Sequence, residues 1–168
     1  MFKKKDNAEV LAETLFKAVV MDDIDNCFKK ESLSWETHPL FDEATCRYTI
    51  FICLSAMLAV ALTGRAEMDI SFENVIFHFR QLVLDEARYR WDITDLKLDK
   101  AIEINADNLA QLIFIEPETN RGLTFDWATE WLSRFGVEEY NPMTLFMISN
   151  KWKTSYISLA KMLETVNI

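Results

Sequence analysis

Apolar residues recur three and four positions apart along most of the chain, the spacing of helices that each bury one face. Asp6 and Glu9 resemble a capping box, and Val10, Leu11, Leu15, Val19 and Val20 then predict a first helix. Acids at Asp22, Asp23 and Asp25, with Lys29 and Lys30 further on, suit the macrodipole of a second short helix beginning near Asp22. The alternative is one continuous helix, because Val20, Ile24 and Phe28 keep an i, i+4 stripe. No period holds from Glu31 to Leu40, which predicts a loop through Trp35 and His38 closed by Pro39.

Asp42 is the expected cap of the most apolar helix, and Gly64 its expected C′ stop. Tyr48 to Leu62 is fifteen residues interrupted only by Thr49, Cys53 and Ser55. A bilayer span takes about 20 apolar residues, so a helix surrounded by other helices is expected rather than a membrane segment. Ser71 opens the next helix, with Phe72, Val75, Ile76, Phe79, Leu82 and Val83 on one face and Arg80, Asp85, Glu86 and Arg88 off it. Thr94 to Ile115 reads as one long helix or two shorter ones, ended by Pro117 and the polar turn from Glu118 to Gly122. Thr124 caps a short helix in which Trp127, Ala128, Trp131, Leu132 and Phe135 share a face, with Gly136 at its end. Asn141 followed by Pro142 pairs an N-cap with proline at N1. Leu145, Ile148, Trp152, Leu159, Met162, Leu163 and Val166 carry that helix almost to the C-terminus. The prediction is an all-α, compact, single-domain bundle of six or seven helices over residues 1–168. A short irregular helical-repeat array is the alternative, although no repeat of about 30 to 45 residues is visible.

Composition supports this reading. Three glycines and three prolines among 168 residues supply few of the tight turns that sheets need, while twelve Phe and five Trp favour a well-filled core. Cys27, Cys46 and Cys53 are an odd number without a C-x-x-C pair, so reduced thiols are expected rather than a disulfide framework or a zinc site. The basic Lys3-Lys4-Lys5 leads into an amphipathic segment instead of an apolar signal core, and the expected location is the cytoplasm.

The search for chemistry returns mostly exclusions. His78 has no Glu, Asp, His or Cys three or four residues away, and is expected to be a partly buried structural residue; His38 is expected at the surface. Cys46 and Cys53 lie about 10 Å apart along one helix, too far to bridge, and read as small core residues. G-x-S-x-G and Gly-rich phosphate loops are absent from the sequence. Asp22-Asp23-Ile24-Asp25-Asn26 lacks the glycine and distal glutamate of a calcium loop. It is similar to the aspartate-rich motif of helical prenyl-diphosphate enzymes only in part, since Asn26 ends the run and no second acidic motif pairs with it. An acidic helix start accounts for it, and no cofactor or metal is expected.

Charge gives the one positive signal. Twelve acids and five bases lie between Glu67 and Glu118, a local balance of −7 out of −9. Among them Asp92, Asp95, Asp99, Glu103 and Asp107 are spaced 3, 4, 4 and 4, along one drifting face of a helix and poorly compensated within it. The plain account is a solvated face; the functional one is a surface that steers and orients a basic protein partner. Direct nucleic-acid binding is not expected, because the field has the wrong sign, with Lys3-Lys4-Lys5 and the pair Lys151 and Lys153 as small local exceptions. The leading expectation is therefore a non-enzymatic protein-binding module, of the kind that inhibits a basic enzyme such as a nuclease toxin. The alternatives are a helical binding protein for an apolar or aromatic small molecule, and an enzyme whose carboxylate or Cys-His site does not show in linear sequence.

Overall fold

The computed structural model describes residues 6–22, 24, 43–114, 129, 133 and 142–166. About 91% of these are helical, with no strand among them, chiefly in five helices: α1 (Asn7–Leu15, continued by a π-helical stretch Phe16–Met21), α2 (Glu43–Met68), α3 (Phe72–Trp91), α4 (Asp95–Phe114) and α5 (Pro142–Glu164). The predicted loop at 31–40, the cap at Asp42 and the turn from Pro117 to Gly122 lie outside the described residues, as does the Asn141 cap. Of the helix predicted after Thr124, only Thr129 and Ser133 are described, and both are helical.

Asp6 starts α1 as expected, its carboxylate accepting the Glu9 N–H at 2.8 Å. The chain is helical at Asp22 and at Ile24, and the residues that distinguish a second short helix from a continuous one lie outside the described residues. The π stretch has a physical reason. Ala8, Ala12, Phe16, Val20 and Ile24 are all buried and strictly four residues apart. On an α-helix a residue every four positions drifts about 40° per step. The wider π turn reverses that drift, so the second half of the stripe stays on the core.

Helix α2 is the centre of the fold. It packs against α3, α4, α5 and the π stretch, and every residue from Phe51 to Leu58 is buried, which is what a helix apolar on all sides requires. By length and composition it is also the one described helix that could cross a membrane, with mean hydropathy 1.8 over its most apolar stretch within Arg47–Met68, although 61% of that stretch is buried in the fold. The expected stop at Gly64 is corrected: α2 runs on to Met68. Arg65 holds this extension, donating Nε to the Leu163 carbonyl at 3.2 Å and Nη2 to the Val166 carbonyl at 3.4 Å. Its guanidinium also lies over the Phe72 ring and 3.4 Å from Asp69. Near the other end of α2, Arg47 donates Nη1 to the Ile24 carbonyl at 2.8 Å. An arginine of α2 thus donates to backbone carbonyls of a neighbouring segment near each end of the helix.

The turn into α3 is closed by Asp69 rather than by Ser71. Asp69 Oδ1 accepts the Ser71 hydroxyl at 2.7 Å and the Ser71 N–H at 3.1 Å, whereas Ser71 at the N-cap makes no side-chain cap bond. Helices α2 and α3 run antiparallel, with Tyr48 and Phe51 against Trp91 at one end and Arg65 over Phe72 at the other. Phe72, Val75, Phe79 and Val83 are buried as expected; Ile76 and Leu82 are half-buried. On α5, Tyr156, Leu159 and Leu163 face the core, while Met162, expected inside, is 43% exposed.

Candidate functional site

Of the five acids of the predicted row, four follow a drifting face of one helix and the fifth, Asp92, does not. Asp92 lies outside both helices, as the left-handed C-cap of α3 with φ 50°, its N–H donating to the Arg88 carbonyl. Aspartate is one of the few non-glycine residues that tolerates this conformation. The other four lie on α4, where the drift of about 40° per step separates them. Leu98, Asn105 and Leu109 are buried and define the inner face of α4. Asp95 and Asp99 flank that face and are half-buried; Glu103 and Asp107 are exposed.

The flanking pair meets bases that spacing within α4 does not show. Arg88 of α3 grips Asp95 bidentately, Nε to Oδ1 at 2.9 Å and Nη2 to Oδ2 at 2.5 Å, and lies 3.7 Å from Asp85. The Asp95 hydrogen bond and charge push the Arg88 pKa further above its ordinary value, so this guanidinium stays charged at every working pH. Arg80 Nη2 donates to Asp99 Oδ2 at 2.6 Å. Glu86 is taken by Arg90 on the same helix. Asp92, Glu103 and Asp107 make no ion pair with a described residue. The row therefore divides into two acids held by α3 and three that present their charge to solvent.

Beside the row is a feature that the sequence did not reveal. A crevice of about 140 Å³ opens between α2, α3 and α4. Apolar side chains form its walls, among them Ala59, Phe79, Val83, Leu98 and Ile102, and the paired Arg80 and Asp99 are its two charged lining residues. Ala59 is small, but α2 also carries Ala56, Ala61, Gly64 and Ala66, so nothing in the sequence marks this position as the floor of a crevice.

Three polar residues sit in the core: Thr49, Ser55 and Asn105. Asn105 accepts from Cys53 Sγ at 3.6 Å and donates Nδ2 to the Ala101 carbonyl at 2.7 Å, which satisfies an amide that sequence inspection passed over. Cys53 is buried, in keeping with a core role; the side chain of Cys46, and all of Cys27 and His38, lie outside the described residues. His78 is half-buried, its Nε2 3.9 Å from Asp6 Oδ2 and its ring edge-on to Phe77. Among the described residues no three His, Cys, Asp or Glu side chains group as a metal site would need. Set against known protein families, curated proteins and solved structures, the chain matches none.

Proposed function

We propose that the chain is a protein-binding module whose α4 face receives a basic protein partner, in the manner of an immunity-type inhibitor that covers the active surface of a basic enzyme such as a nuclease. The observation that carries this reading is the division of the acid row. Asp95 and Asp99 are fixed by arginines of α3, while Asp92, Glu103 and Asp107 stand exposed and unpaired among the described residues on a chain of net charge −9. Charges held in place on a rigid helix steer association and set orientation. The reading assigns the chain no catalytic step. It also includes one or two further helices outside the described residues, making six or seven in one compact bundle over residues 1–168.

The test is kinetic. A partner captured from lysate by the parent chain is expected to associate several-fold more slowly with the Glu103→Gln, Asp107→Asn double variant, and more slowly with added salt for the parent. Equal association rates, insensitive to salt, would leave the row as a solvated face. A small apolar ligand is the second reading, favoured by the crevice, but about 140 Å³ is below the roughly 300–1,000 Å³ of ordinary small-molecule sites.

A further inference from the structure

The acid row and the apolar crevice share Asp99, which belongs to both. A cavity of about 150 Å³ lined by Leu, Ile and Phe is known to hold a benzene ring, so a crevice of about 140 Å³ is matched to one ring or one branched aliphatic side chain. Its rims differ in chemistry. One helical turn before Arg80 on α3 stands Phe77, 60% exposed; one turn after Asp99 on α4 stands the exposed Glu103, with Asp107 a turn beyond. From Asp99 to Asp107 the carboxylates extend about 12 Å along α4, the length of roughly four residues of extended chain. A free small molecule fills the crevice without reaching Asp107. A peptide segment does both.

Resting on the binding reading above, we infer that the crevice is the anchor pocket for the partner: it receives one leucine side chain from a basic segment whose flanking lysines or arginines lie along Glu103 and Asp107. The buried apolar anchor supplies residence, and the carboxylates supply approach and direction.

The full-length chain can be tested with two synthetic peptides, Lys-Lys-Leu-Lys-Lys and Lys-Lys-Ala-Lys-Lys, by methyl NMR titration. The leucine peptide is expected to shift the methyls of Val83, Leu98 and Ile102 and to bind roughly ten-fold tighter than the alanine peptide, the factor for burying about half of the extra carbons. Ala59→Leu, which fills the crevice from α2, is expected to abolish that preference while leaving the salt-dependent binding of the alanine peptide intact. Should Ala59→Leu fail to fold, Ala59→Val makes the same comparison with a smaller intrusion. Equal affinity of the two peptides for the parent chain, or a ten-fold preference that survives the filling, overturns the pocket and leaves the acidic face standing. Failure of both peptides to bind overturns the two together. The Glu103→Gln, Asp107→Asn variant is expected to weaken both peptides alike and so tests the charge separately.

Discussion

Ser55 is fully buried on α2, and its hydroxyl finds no hydrogen-bond partner among the described residues. A buried hydroxyl left unpaired costs about 1–3 kcal/mol, so Ser55→Ala is expected to raise stability by about 1 kcal/mol in a denaturant titration, with the added methyl-sized void limiting the gain. Arg65 is the opposite case. It satisfies two carbonyls at the end of α5 and packs on Phe72, and Arg65→Met is expected to lower stability by about 2 kcal/mol while keeping most of the apolar stem. Asp69 tests the turn between them. The hydrogen bonds from Ser71 hold its carboxyl below the ordinary 3.8, so its contribution is present above that pH and is lost as pH falls through the lowered folded value. Ser71→Ala is therefore expected to lower the denaturation midpoint near neutral pH, with the difference from the parent shrinking under strong acid.

At the level of elements, Gly64 gives the sharpest test, because two placements predict opposite outcomes. A glycine at C′ in the left-handed region loses stability on becoming alanine; a glycine inside a helix gains it. Gly64 lies inside α2, and a Cβ built on it meets no atom within 4 Å. Gly64→Ala is expected to add about 1 kcal/mol, read as a higher thermal midpoint. The sequence misled here because local punctuation cannot register a tertiary anchor such as Arg65, which fixes the turn beyond the glycine. Helix α3 was legible from the spacing of Phe72, Val75, Phe79 and Val83, and α2 from its unbroken apolar run, because burial writes itself directly into composition. The π stretch was visible only as an i, i+4 stripe through Val20 and Ile24, which allowed two readings. The acid row was legible as charge but not as geometry. Its partners Arg80 and Arg88 lie 19 and 7 residues away, on another helix, and no periodicity within α4 encodes them.

For the molecule as a whole, the two classes of acid separate stability from recognition. Asp95→Asn and Asp99→Asn release Arg88 and Arg80; pairs this exposed are worth at most about 1 kcal/mol, so a small loss of stability is expected from each. Glu103→Gln and Asp107→Asn relieve repulsion along α4 and are expected to leave the denaturation midpoint level or slightly raised, even where association slows. Arg65 has one more consequence, which concerns the order in which the protein is made. The carbonyls it binds are 98 and 101 residues further along the chain. The faces of α2 that α4 and α5 cover are likewise translated first and sheltered last. During synthesis the most apolar helix therefore waits, exposed, for elements that have not yet emerged, a long-range closure that slows folding and invites aggregation. A nascent chain arrested before Pro142 is accordingly expected to bind hydrophobic dyes and to recruit holdase chaperones, and to release both once α5 has left the ribosome.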